Sequence, residues 1–128
     1  MSIVVEISPG ELIDKLTILE IKLDKISDPA KLENIRREHD SLTETFCQHV
    51  RVTADLTELM AELKDTNSAL WRIEDDIRDH ERNGDFGESF VALARSVYRM
   101  NDQRSAIKRR INELLGSDLV EEKSYSAY

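Results

Sequence analysis

The chain has 128 residues and a formal net charge of -8; it is 40% hydrophobic and 34% charged, with only 5% aromatic residues, four glycines and two prolines. That acidity argues against nonspecific binding to nucleic acid or to an anionic membrane, both of which need a basic face, and the cluster Lys108-Arg109-Arg110 is too local to reverse it. One cysteine excludes an internal disulfide, and the lack of a signal peptide or a long apolar run makes the cytoplasm the expected setting of a single soluble helical domain.

At the start, Ile3-Val4-Val5-Glu6-Ile7 is β-branched and weakly alternating, which predicts a short strand over 3–7. A lone strand needs a partner: the segment Asp118-Leu119-Val120-Glu121, the same strand of a second subunit, or else no sheet forms. Ser8-Pro9-Gly10-Glu11 then opens a helix over 9–26, with a serine cap, proline at the first position and glutamate three after the cap. Leu12, Leu16, Leu19, Leu23 and Ile26 give it one apolar seam, and Ile13, Ile18 and Ile21 widen that surface, so the helix is expected to be covered on two sides.

Ser27-Asp28-Pro29 closes this helix and caps the next. From 29 to 83 the helical rhythm continues through Leu32, Ile35, His39, Leu42 and Phe46 with no glycine or proline inside. Either one helix of about 50 residues runs straight through, or it breaks near 50–55, where Val50, Val52 and Thr53 are poor helix formers and Asp55 could cap a new start. The turn Asn83-Gly84-Asp85-Phe86-Gly87 leads into a last helix over 87–115, ended by Gly116, and 117–128 reads as a polar tail.

The two arms about this turn organise the chain. The first carries the stripe Leu56, Leu59, Leu63, Thr66, Leu70, Ile73, Ile77; the second carries Phe90, Leu93, Val97, Met100, Arg104, Ile107, Ile111, Leu114. One member of the second stripe is a cation that never loses its charge, so Arg104 demands a carboxylate, a set of carbonyls or an anionic ligand beside it. Antiparallel packing sets Arg104 opposite Asn67. The flanks of the seam then carry Asn67, Trp71, Glu74 and Arg78 on one arm and Asn101, Arg104, Lys108 and Asn112 on the other. Six of them, Asn67, Trp71, Glu74, Asn101, Arg104 and Lys108, are the candidate ligand-binding set: Arg104 and Lys108 to hold an anion, Trp71 to stack, Glu74 to orient or accept a proton. The plainer expectation is a structural bridge in which Glu74 or Asp75 pairs with a cation of the other arm.

Other chemistry is thinner. His39 and His49, ten residues apart with Cys47 between them, cannot share one small ion, and His80 after Asp76 sits in an acidic exposed face, so no metal site is expected. Glu58, Glu62 and Asp65 share a helical face and, with Asp76 or Asp79, resemble the carboxylates with which all-helical nucleotide pyrophosphohydrolases hold Mg, although the paired-glutamate motif of that family is not cleanly present. A mutase of the chorismate type lacks its arginine, since the opening helix offers only Lys15, Lys22 and Lys25. There is no Gly-rich phosphate loop, nucleophile elbow or Cys-x-x-Cys pair.

The runs Glu11-Leu12-Ile13-Asp14-Lys15-Leu16-Thr17-Ile18-Leu19-Glu20-Ile21-Lys22 and Leu70-Trp71-Arg72-Ile73-Glu74-Asp75-Asp76-Ile77-Arg78, followed by Asn101-Asp102-Gln103-Arg104, Ile107-Lys108-Arg109-Arg110-Ile111-Asn112 and Val120-Glu121-Glu122-Lys123-Ser124-Tyr125, resemble a family of short, uncharacterised bacterial helical proteins. That family is associated with gene contexts for sugar transfer to surface polysaccharide. The resemblance implies a bacterial cytoplasmic setting and a helper role in glycan assembly, and it supplies no catalytic residue. The sequence is therefore read as an all-α domain of three or four long amphipathic helices, in an antiparallel bundle or coiled-coil arrangement. Apolar faces left over make it a homo-oligomer or the partner of another protein. It is read as an interaction or scaffolding module rather than an enzyme, with no cofactor. The alternative is a protein that binds or acts on an anionic phosphate or sugar nucleotide, with Mg needed only for the pyrophosphohydrolase version.

Overall fold

Three of the four helices begin where the sequence supplies a side-chain oxygen to accept the orphan N–H groups of a first turn. Ser8 Oγ accepts from Glu11 N at 3.2 Å, Asp28 Oδ1 from Ala30 N at 2.9 Å and Lys31 N at 3.1 Å, and Thr53 Oγ1 from Leu56 N at 3.2 Å; each such cap stabilises by about 1 kcal/mol. In the computed structural model, which describes residues 1–128, these caps start α1 (Pro9–Lys25), α2 (Pro29–His49) and α3 (Ala54–Asn83). Gly84, at φ +63°, terminates α3 in the left-handed conformation that glycine adopts without a Cβ penalty. The hairpin then returns through α4 (Glu88–Leu114). The chain is all-α, as the three-four periodicity predicts.

The long stretch from 29 to 83 is two helices. Val50 and Thr53 take extended backbone, where their β-branched side chains are least crowded, and the cap of α3 is Thr53 rather than Asp55. The short strand expected over 3–7 does not form. Residues 1–7 make no backbone hydrogen bond, and Ile3 and Val4 are 76% and 96% exposed. An all-helical fold offers them no sheet edge, and 118–121 does not supply one.

Arg110 bonds to Glu62 and Ser89 to His80, the register of an antiparallel hairpin turning near residue 85. Across its base lies α1, the only helix that packs against all three others; α2 packs on α1 alone. The core forms where they meet: Leu12, Ile13 and Leu16 of α1, Phe46 of α2, Leu56, Leu59 and Leu63 of α3, and Ile107 and Ile111 of α4. Full burial of each such side chain contributes about 1.5–3 kcal/mol. The burial is confined to that end. No residue of α3 beyond Asn67 is buried, and none of α4 before Ile107. The last 16 residues of α3 and the first 19 of α4 thus project past the core as a two-helix arm, about 24 Å long along α3 at 1.5 Å per residue. No helix is long and apolar enough to cross a membrane.

Candidate functional site

Two covered sides leave α1 with a stripe that is not apolar. Gly10, Asp14 and Thr17, spaced four and three, are all buried, and a row so spaced lies along one helical face. On α4 the residues Arg104, Lys108 and Asn112 form a second row, and Asn67 of α3 closes the group. The contacts run obliquely across the hairpin, from Gly10 on Asn112 and Glu11 on Lys108 to Asp14 on Arg104, Thr17 on Asn67 and Glu20 on Lys64.

Asp14 is the centre. Its side chain is 1% exposed, and its Oδ1 accepts from Arg104 Nε and from Asn67 Nδ2, each at 2.9 Å, while Oδ2 accepts from Arg104 Nη2. This is the two-point fork that guanidinium geometry offers a carboxylate. Asn67 Nδ2 also donates to Thr17 Oγ1 at 2.9 Å, and Thr17 Oγ1 donates to the Asp14 carbonyl at 2.8 Å. One helical turn away, Lys108 Nζ lies 2.7 Å from Glu11 Oε2 and 3.0 Å from Glu121 Oε2. Asn112 Oδ1 accepts from the Gly10 N–H at 2.7 Å. No buried side-chain nitrogen or oxygen lacks a partner. A buried polar group costs little only when so satisfied, and this seam meets that condition throughout.

Burial by itself would raise the Asp14 carboxyl, but hydrogen bonds from Arg104 and Asn67 and the charges of Arg104 and Lys108 outweigh it and hold the group below its ordinary value. Glu121 is lowered too, chiefly by its hydrogen bond from Lys108. Lys108 is raised, since its bonds to Glu11 and Glu121 overcome the opposing effect of burial. A carboxyl lowered on folding stabilises the protein above its unfolded value and ceases to do so as pH falls through the folded one; a lysine raised on folding contributes below its unfolded value and stops as pH rises through the folded one. Stability should therefore hold level through neutral pH and decline as pH drops from the ordinary aspartate value of 3.8 toward the lowered one. Urea midpoints measured from pH 7 to pH 2.5 test this; a midpoint that rises on acidification would contradict it.

Of the six residues singled out in the sequence, the structure brings Asn67, Arg104 and Lys108 together around Asp14 and Glu11. Trp71 and Asn101 are half-buried and take no part in the seam's hydrogen bonds. Glu74 is exposed and pairs within its own helix with Arg78. The expected bridge from Glu74 or Asp75 to the opposite arm is replaced by Asp14 of α1, because α1 fills the groove at that level and brings its own carboxylate. The sequence reading missed Asp14, Glu11, Thr17 and Gly10, and left Asn112, a member of the polar flank of α4, out of the candidate set. The available signal was the small and polar stripe of α1, set between two apolar seams where solvent has no access.

No three histidine, cysteine, aspartate or glutamate groups gather as a metal site requires. Glu62, one of the carboxylates that resemble a pyrophosphohydrolase set, is bound to Arg110 at 2.9 Å. What the arrangement does chemically is fix α1 to the hairpin by three ion pairs and three amide contacts.

No curated protein and no solved structure matches the chain. One family model does, and it spans residues 3–128 of the seam, hairpin and tail alike. The chain belongs to DUF6165, a family of unknown function.

Proposed function

We propose that the chain is a helical interaction module: a locked base that holds out the α3/α4 arm so that it can pair with the arm of a second copy. The observation that carries this reading is the absence of any buried residue in the arm, although Leu70, Ile73, Ile77, Phe90, Leu93, Val97 and Met100 run its length. Two helices can only half-cover such a stripe, and two arms side by side would close it in the manner of a four-helix bundle. Val91, 52% exposed on the same arm, extends the uncovered apolar surface. The polar seam is structural in this reading, since its charges are already matched. The setting we propose is the bacterial cytoplasm, as a helper in glycan assembly, which the sequence resemblance implies; a protein of that machinery would dock on the arm as well.

Light scattering across a concentration series tests the reading. The expected mass is at least twice the 14.8 kDa of one chain. Val91→Glu, at an exposed position outside the hairpin seam, should return it to that of one chain with helical content unchanged. A single-chain mass at every concentration would refute self-pairing.

A further inference from the structure

The hairpin stripe is buried at one end and half-buried at the other, and the difference is α1. In the base, Leu56, Leu59, Leu63 and Ile111 are buried in one cluster with Leu12, Ile13 and Leu16 of α1. Along the arm the same stripes continue with no third helix against them, and none of their residues is buried. The groove is therefore one feature, and its base end shows that it takes a helix.

The position of α1 also decides what can reach the open end. It crosses the hairpin at the level where Asp14 meets Arg104 and Asn67. Packed helices stand about 8–10 Å apart, so α1 rises one helix layer above the groove floor. Two copies laid base on base would meet α1 against α1, and both layers would hold their arms apart. Laid head to tail about a two-fold axis, each arm instead lies along the other's groove and stops where the other's α1 begins. An arm is then as long as the groove it fills, and the pair closes on itself.

Two aromatic residues that the fold of one chain leaves unused meet in that arrangement. Phe86, in the turn, is 54% exposed, with its ring edge-on to that of Phe90 at 5.3 Å. Trp71, one helical turn past Asn67, is half-buried at the root of the groove. With residues 68–83 of α3 antiparallel to their copy, position 83 of one chain is level with 68 of the other, and the turn that follows reaches the root of the second groove.

We propose, resting on the self-pairing reading above, that two chains associate head to tail, with Phe86 of each seated beside Trp71 of the other. The two rings anchor the ends of the contact, as large aromatic side chains do at interfaces.

Trp71 is the only tryptophan, so its emission reports on this contact. In a Cys47→Ser, Asn83→Cys protein, a nitroxide on the introduced thiol should quench most of that emission at concentrations where light scattering gives the doubled mass. Within one chain the two positions lie about 18 Å apart along α3, so adding Val91→Glu, which separates the chains, should restore the emission. Phe86→Ser should raise the dissociation constant of the pair about tenfold, with helical content unchanged. Unquenched emission at doubled mass, or unweakened pairing in Phe86→Ser, would overturn the head-to-tail arrangement while self-pairing stands. A single-chain mass at every concentration would overturn both.

Discussion

Replacing Arg104 by methionine should lower the free energy of unfolding by about 2–4 kcal/mol, below the upper figure for a broken buried pair because the arginine side chain keeps 30% exposure. Methionine fills much of the same volume, so the loss comes from the carboxylate left behind. Asp14, 1% exposed, would retain only the Asn67 amide against the desolvation that now dominates it. Its folded pKa should then move from below the unfolded value to above it, and the linkage changes sign: the variant gains stability as pH falls toward the ordinary aspartate value of 3.8, a range in which the unaltered protein holds level. The gap between the two proteins should narrow on acidification, which urea titrations at pH 7 and pH 4 would measure. Arg104→Lys should fall between them, keeping the charge and losing the two-point grip. Asp14→Asn combined with Arg104→Met should recover part of the loss, since no charge is then buried. A methionine variant within about 0.5 kcal/mol of the parent at neutral pH, a change typical of surface sites, would show that the seam does not hold α1.

The parts of this architecture that were legible in the sequence are those set by local physics. Ser8, Asp28 and Gly84 announce helix ends because a cap or a left-handed terminator acts within four residues of itself. The stripes of the hairpin gave its register, and that register put Asn67 and Arg104 at the same level, where Asp14 now joins them. What could not be read locally was the third helix. The need of Arg104 for a carboxylate was plain from its place in an apolar stripe, but the hairpin alone pointed to Glu74 or Asp75, while Asp14 lies 90 residues away in sequence. The segment at 3–7 failed for the same reason in reverse. Its β-branched composition favours extended backbone, but a strand exists only where another edge accepts its hydrogen bonds, and these residues make none. Lys108 shows a third case: its spacing marked it as a cation of the seam, yet its partners Glu11 and Glu121 come from the two ends of the chain.

Gly10→Ala should destabilise the protein by about 1–3 kcal/mol, against the direction that helix propensity alone predicts. Gly10 lies in the first turn of α1 with helical backbone, where alanine would ordinarily gain up to about 1 kcal/mol over glycine. Its surroundings reverse the sign. A Cβ at this position would stand 2.7 Å from the Lys108 carbonyl oxygen and 2.8 Å from Asn112 Oδ1, both inside van der Waals contact. The asparagine side chain can turn away, but only by giving up the hydrogen bond that it accepts from the Gly10 N–H. The Lys108 carbonyl belongs to the backbone of α4 and cannot move without the helix. The start of α1 must therefore lift, and Glu11 lifts with it, away from Lys108. This gives the variant a signature beyond lost stability. In an Asn112→Ala background the penalty of Gly10→Ala should shrink without vanishing, because the backbone contact persists when the side-chain contact is gone. Denaturant titrations of the four proteins would measure it. If alanine at position 10 proves neutral or stabilising, α1 is not seated as closely on α4 as these distances require, and the seam built on that approach would have to be redrawn.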